Sequence, residues 1–210
     1  MKIRLPAILK TSLAAFSAFI CVNIYAQQND VSQQQADYKK AITKRSANIV
    51  NTLGLTDSVK YNKTLQLIID QYAQLNSMEG QPSGDKKSSE LLQLHKDFIA
   101  HLSEGLTAEQ VEKVKDGITY NVLNVTYSAY QDMLPNLTTE QKDKIYNWLK
   151  EAREQAMDEG SSEKKHAVFG KYKGRINNYL SEAGYDLRKE EAAWQQRIKE
   201  RNAAKKQSTQ

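Results

Sequence analysis

Apolar residues recur along most of the chain at the three- and four-residue spacing of amphipathic helices, and no stretch shows the sustained alternation of a half-buried strand. A segment rich in glycine, proline and serine at 78–85 indicates a loop. The pattern predicts an all-α fold, a single compact array of about six or seven amphipathic helices. These helices are expected near residues 38–53, 65–75, 91–102, 108–133, 139–158, 162–182 and from 187 onward.

The fourth predicted helix is the longest and carries apolar residues on two faces. One face runs from Val111 to Ala129, and the other runs from Tyr120 to Leu134. Because a helix that is apolar on two faces is buried between neighbours, residues near 108–134 are expected to form a long central helix.

Two helix starts share the order Leu-Thr-x-Glu-Gln, at 106–110 and 137–141. In each, the threonine can accept a hydrogen bond from the first turn, while the glutamine three residues later reaches back to the threonine. Both starts therefore predict capping boxes. At the end of the sixth predicted helix, Gly184 is a typical helix-ending glycine.

The first 26 residues have the basic, apolar and small-residue order of a secretory signal peptide. The apolar run at 13–22 is shorter than the roughly 20 residues of a transmembrane anchor. We expect cleavage after Ala26 and export to the periplasm, to the outer membrane or to the medium. Lipidation of Cys21 is an open alternative, although Ile20 is not the small residue that precedes the cysteine of a lipoprotein signal.

The chain of 210 residues has a formal net charge of +5, but this charge is concentrated at its two ends. Residues 27–186 contain 20 basic and 22 acidic side chains, so a nucleic-acid partner, which needs a basic face, is not expected. We predict a helical domain at 27–200 and a disordered basic tail at 201–210. No nucleotide-binding, zinc-protease or serine-hydrolase motif occurs, and neither a cofactor nor a metal is predicted.

Two resemblances add to this picture. The Leu-Thr-x-Glu-Gln repeat resembles the LTxxQ motif of Spy/CpxP-type periplasmic chaperones. A longer part of the chain resembles a family of uncharacterised exported proteins from Bacteroidota, known as a domain of unknown function. That likeness implies a Gram-negative envelope and a setting of glycan breakdown, and it brings no established catalytic residues. It rests on residues 119–121, 133–138, 151–158, 165–180 and 184–186, together with Trp194.

Residues 165–178 form the least usual helical segment. Gly170 and Gly174 lie one turn apart on one face, and each glycine inside a helix costs about 1 kcal/mol relative to alanine. The pair indicates close packing of another helix or, alternatively, a ligand that approaches the backbone or a local break in the helix. The polar side chains of this segment suit a carboxylate, a phosphate or sugar hydroxyls, although a solvated basic face would look the same. These candidates are Lys171, Lys173, Arg175, Asn177 and Asn178.

His166 begins this segment and is the first choice for a general base. On the fifth predicted helix, Glu151, Glu154 and Asp158 share one face. Paired carboxylates can act as acid and base on a glycoside, or they can hold a hard cation. The same stripe can also be a solvated face that pairs with Arg153, which we include among the ligand-binding candidates.

Tyr120 and Asn121 complete the candidate set, because tyrosine and asparagine can line a sugar-binding cleft, although tyrosines are also common in cores.

The sequence predicts an exported envelope accessory or binding protein linked to glycan utilisation, with a glycan or small anionic ligand and no transmembrane anchor. The predicted cleft lies between the fourth, fifth and sixth helices. Two alternatives stay open: a glycoside hydrolase or lyase that uses His166 with Glu151 or Glu154, and a chaperone-like envelope stress protein. The oligomeric state is not indicated.

Overall fold

The computed structural model describes residues 33–207. The predicted signal peptide at 1–26, with Cys21, and the last three residues of the predicted tail lie outside the described residues. The chain divides into two units, Met1–Arg45 and Ser46–Gln210. The described part of the first unit, residues 33–45, is helical throughout.

The described residues form eight helices and no strand, which confirms the predicted all-α class. Helix α1 spans residues 33–51. The others are α2 (Ser58–Met78), α3 (Asp85–Ser103), α4 (Ala108–Ile118), α5 (Val122–Met133), α6 (Thr139–Met157), α7 (Ser162–Glu182) and α8 (Leu187–Gln207).

Helix α6 packs against both α5 and α7, and an apolar cluster fills the space between these three helices. Burial of each large apolar side chain stabilises the fold by about 1.5–3 kcal/mol. The three-helix layer therefore fixes the spacing of α5 and α7. Its buried members are Leu123, Tyr130, Leu134, Leu137, Ile145, Leu149, Ala152, Ala156, Val168, Phe169, Tyr172, Ile176 and Leu180.

Both predicted capping boxes are present. At the start of α4, the N–H of Gln110 donates to Thr107 Oγ1 at 3.3 Å, and the N–H of Thr107 donates to Gln110 Oε1 at 3.0 Å. Thr138 and Gln141 make the same pair at the start of α6. These starts are decided by residues close in sequence, which is why the motif predicts them.

Gly184 ends α7 as predicted. Its φ of 94° lies in the region that favours glycine, so the chain can turn away from the helix axis here. The N–H of Tyr185 donates to the carbonyl of Leu180 at 3.1 Å, and the N–H of Gly184 donates to Ser181 at 3.0 Å. This pair of bonds is the Schellman motif, and it sets the direction in which α8 begins.

The prediction of one long central helix near 108–134 is wrong, because the chain turns between α4 and α5. Tyr120 and Asn121 have φ values of 59° and 57°, in the left-handed region. The N–H of Asn121 donates to the carbonyl of Asp116 at 2.7 Å and closes the end of α4. Asparagine tolerates this conformation, but a tyrosine rarely adopts it. Apolar spacing continues on both sides of the turn, so periodicity does not reveal it.

The predicted disordered tail is also wrong as far as Gln207, because α8 continues through it. Alanine, lysine and glutamine are good helix formers, and Arg201 anchors this part of α8 through an ion pair with Asp132. Even so, no residue of α8 is buried. Besides the contact of Leu187 with the apolar cluster, polar contacts hold this helix.

Candidate functional site

A groove of about 320 Å³ lies between α5, α7 and α8. On α8 its lining residues follow one another at i, i+4 and i+7, the spacing of a single helix face. The groove mixes apolar, aromatic, amide and charged side chains. Its lining residues are Val125, Thr126, Ala129, Tyr130, Met133, Lys173, Asn177, Leu187, Glu191 and Trp194.

Tyr130 ties α5 to α7 at the groove. Its hydroxyl donates to Asn177 Oδ1 at 2.7 Å and lies 3.4 Å from the carbonyl oxygen of Lys173. Burial raises the pKa of Tyr130 to about 12, so the hydroxyl stays protonated at neutral pH. Because the oxygen of the Asn177 amide accepts this bond, its nitrogen keeps its donors for another molecule.

Asp132, near the end of α5, holds α8 beside the groove. Its carboxylate accepts from Trp194 Nε1 at 2.7 Å and from both terminal nitrogens of Arg201 at 2.6 and 3.1 Å. These hydrogen bonds, first Arg201 and then Trp194, lower the pKa of Asp132 to about 2. Arg197 donates to the carbonyls of Asp132 and Met133, at the C-terminal end of α5, where a cation is favoured. We call Asp132, Trp194, Arg197 and Arg201 the Asp132 cluster.

Two opposite charges line the groove without neutralising each other. Lys173 on α7 and Glu191 on α8 are both exposed, and neither forms an ion pair with another described residue. The indole of Trp194 is half-buried and already has a partner for its N–H. An ammonium, a carboxylate and an amide around an indole can hydrogen-bond hydroxyl groups while the ring covers an apolar surface. A groove of this volume suits a small molecule.

Two of the predicted ligand-binding residues, Lys173 and Asn177, line this groove, and the others lie elsewhere. Lys171 lines a separate cavity between the start of α3 and α7. The Arg175 guanidinium lies 4.4 Å from the centroid of the Trp148 ring, and Asn178 is exposed on α7.

Tyr120 and Asn121 form the turn between α4 and α5. There the Tyr120 ring stacks on the His166 ring, with centroids 5.3 Å apart and planes inclined by 19°. Asn121 also accepts a hydrogen bond from the amide of Asn124 at 2.6 Å. This stacking of the two rings therefore places His166 beside the turn between α4 and α5.

The structure does not join His166 to the two glutamates proposed as its catalytic partners. Glu151 lies 3.7 Å from Arg175, whereas Glu154 accepts from Lys115 at 3.0 Å. Among the described residues, no hydrogen bond or ion pair connects His166 with Glu151 or Glu154.

Arg153, predicted as a ligand contact, is turned inward instead, and this prediction is corrected. Its side chain is 2% exposed and donates to Asp116 at 2.7 Å, to Glu154 at 2.9 Å and to Glu112. Burial disfavours the guanidinium charge, but the hydrogen bonds that Arg153 donates to the three carboxylates outweigh this effect and raise the pKa of Arg153. The side chain therefore serves the fold, since its donors are used within the protein.

The remaining acids of the predicted stripe extend this arrangement to α3. His95 Nδ1 lies 2.9 Å from Asp158 Oδ1, and His95 Nε2 lies 3.8 Å from Glu154. We call this set, which connects α3, α4 and α6, the Arg153 network. In the part of the chain that the structure describes, no group of three or more His, Cys, Asp or Glu is arranged to hold a metal ion. The network consists of Arg153, Glu112, Lys115, Asp116, Glu154, His95 and Asp158.

The prediction that another helix packs closely on the two glycines of α7 is wrong as well. Gly170 and Gly174 are exposed, and a Cβ at either would meet no atom within 4 Å. The close approach of helices occurs instead at Gly117 in α4, where a Cβ would lie 2.8 Å from Ile49 Cγ1. The α7 glycines lie away from the face that contacts α6, so their backbone freedom is not used for packing.

Sequence reasoning missed Glu191 and named Trp194 among the residues of the family resemblance, but not among the candidates for the site. A signal existed, because Leu187, Glu191 and Trp194 share one face of α8. The spacing places these residues on one face of α8, but it does not show which other helices this face contacts.

The described protein is thus an all-α domain with a mixed polar and aromatic groove. Within the described residues, no helix has both the length and the apolar character needed to cross a membrane. A family model described as "Protein of unknown function (DUF3826)" matches residues 81–200, and the chain belongs to this family. The match contains every residue that lines the groove. No curated protein matches the chain.

Proposed function

We propose that the protein is an exported carbohydrate-binding accessory protein of a Gram-negative envelope, and that it serves glycan utilisation. The observation that carries the proposal is the groove between α5, α7 and α8, where an indole lies beside the charges of Lys173 and Glu191, which form no ion pair with another described residue. The signal-like N-terminus and the resemblance to exported Bacteroidota proteins support the location.

The groove chemistry fits a sugar because a sugar ring has an apolar face of C–H groups and a rim of hydroxyls. Trp194 offers ring surface, and its N–H bond to Asp132 holds the indole in one orientation. Asn177 is oriented in the same way by Tyr130. Side chains that are ordered before binding lose less entropy when the ligand arrives.

The groove has fewer acidic side chains than glycoside hydrolysis usually requires, and this favours a binding protein over a hydrolase. Glycoside hydrolysis uses two carboxyl groups, about 5–10 Å apart, on either side of the scissile bond. Among the residues that line the groove, Glu191 is the one acid. A single carboxylate can hydrogen-bond a sugar, but it lacks the partner that the usual reaction requires.

The test is thermal unfolding of the exported chain with a panel of plant and host oligosaccharides. A ligand that binds the folded state at 100 times its Kd raises apparent stability by about 2.7 kcal/mol. We expect one glycan class to raise the melting temperature without release of new reducing ends. Lys173→Met and Glu191→Gln should each reduce that shift, whereas Lys171→Met, also exposed on α7 but outside the groove, should keep it.

The proposal fails if no glycan in the panel shifts the melting temperature, or if both groove variants respond as the parent does. New reducing ends that disappear in His166→Ala would instead establish the enzyme alternative.

A further inference from the structure

A second cavity, of about 290 Å³, lies between α2 and α3, away from the groove. Helix α2 supplies four of its lining residues, and α3 supplies the other four. They are Leu67, Asp70, Gln71, Gln74, Leu94, Asp97, Phe98 and His101.

Gln71 gives this cavity an unusual polar group. Its side chain is 3% exposed, and its amide nitrogen has no hydrogen-bond partner within the described chain. A buried donor without an acceptor destabilises the folded state, and the large majority of buried polar groups in proteins have a partner. An amide donor of this kind that lines a cavity can be satisfied by a bound molecule that carries an acceptor.

Two carboxylates give the same cavity a negative charge. Asp70 accepts from Gln66 at 2.8 Å and Asp97 accepts from Gln93 at 2.7 Å, each from its own helix. No lysine or arginine lines the cavity, and neither aspartate forms an ion pair with another described residue. The other titratable side chain of the lining is His101. The cavity therefore favours a cationic ligand over an anionic one.

We infer that this cavity binds a small molecule that carries both a protonated amine and a hydroxyl, the chemistry of an amino alcohol or an amino sugar. The amine would pair with Asp70 and Asp97, and the hydroxyl oxygen would accept from the Gln71 amide. Phe98 and the two leucines supply apolar contact for the carbon skeleton. An amine without a hydroxyl leaves Gln71 unsatisfied, and a neutral sugar leaves both carboxylates unpaired.

The experiment is thermal unfolding with glucosamine, at about pH 6 where an amine of this kind is protonated. Glucose and N-acetylglucosamine are the matched neutral probes, and putrescine is the amine without a hydroxyl. Glucosamine should raise the melting temperature of the parent protein. Each of the other three compounds should need at least a tenfold higher concentration to give the same shift.

Two variants locate the effect. Gln71→Leu keeps the volume but removes the donor, and Asp97→Asn removes one charge at an exposed position, so folding does not depend on it. Both should weaken the glucosamine response at least tenfold. Glu90→Gln, a charge-matched exposed change on α3 outside the cavity, should leave it unaltered.

The inference is overturned if glucosamine gives no shift, if the neutral sugars act as strongly, or if the response survives in Asp97→Asn. Lys173→Met in the groove should not change the glucosamine response. That variant separates this cavity from the proposed glycan site, so either proposal can fail without the other.

Discussion

The Arg153 network and the Asp132 cluster both join helices through arginine and carboxylate groups, yet they differ in burial. Arg153 is 2% exposed, whereas the side chains of Arg201 and Asp132 are 53% and 42% exposed. A buried guanidinium has lost its hydration and depends on its partners, while an exposed ion pair is worth about 0–1 kcal/mol. The first arrangement therefore helps to keep α3, α4 and α6 together, and the second sets the position of α8.

This difference bears on the proposed binding site. Helices α5 and α7 are held by the apolar cluster around α6, so two sides of the groove are fixed by the core. The third side, α8, buries no residue and is held by the Asp132 cluster together with the contact of Leu187 with the apolar cluster. A change at Asp132 should therefore affect the position of α8 at the groove more than it affects the stability of the whole fold.

The largest effect is expected from Arg153→Met, which removes the guanidinium that pairs with three carboxylates and leaves only Lys115 beside two of them. Losing one partner of a buried ion pair costs about 3–5 kcal/mol. Because Asp116, Glu154 and Glu112 are 21%, 32% and 42% exposed, water offsets part of this loss. We expect a decrease of about 2–3 kcal/mol in the free energy of unfolding, measured by urea denaturation.

Lys150→Met, an exposed change of the same charge on α6, is the control and should change stability by less than about 0.5 kcal/mol. If the two variants prove equally stable, the buried ion pairs of Arg153 do not make the predicted contribution to the free energy of unfolding.

Asp132→Ala should have a smaller effect on global stability and a local effect on α8. The substitution removes the acceptor for Trp194 and Arg201. We expect faster amide hydrogen exchange throughout α8, little change in the urea midpoint and weaker glycan binding in the groove. Asp143→Asn, an exposed change on α6, should alter none of these. Unchanged exchange in α8 would show that other contacts hold this helix.

The smallest effect is a pH dependence that originates at His95. The hydrogen bond with Asp158 raises the pKa of His95 above 6.5, with help from Glu154, although burial and Lys115 oppose it. A raised pKa means that the folded state binds the proton more tightly than the unfolded state does. This stabilisation is therefore complete below pH 6.5 and is lost as the pH rises through the higher folded pKa.

Urea unfolding of the parent and of His95→Gln between about pH 5 and pH 8 measures this component. The parent should lose stability relative to the variant across that range. His101→Gln, which changes an exposed histidine on the same helix, should behave as the parent does. A constant difference between parent and His95→Gln would mean that His95 does not titrate against Asp158 in this way.

The residues singled out from the sequence overlap the lining of the groove only in part, for a physical reason. Lys173 and Asn177 were identified from their polar character, and both line the groove. The same criterion selected Arg153, which is buried, because a sequence does not show which side of a charged helix meets another helix. Tyr130 received its place at the groove through a contact with Asn177, 47 residues away.

Local sequence is enough to set the all-α class, the capped starts of α4 and α6, and the end of α7 at Gly184. Each depends on side chains and backbone groups within a few residues of one another, so the local sequence contains the whole interaction. The packed fold instead sets the turn at Tyr120 and Asn121, the close helix contact at Gly117, and the meeting of α5, α7 and α8 around a groove. These features arise from contacts between distant segments, whose partners are chosen by packing of the whole domain.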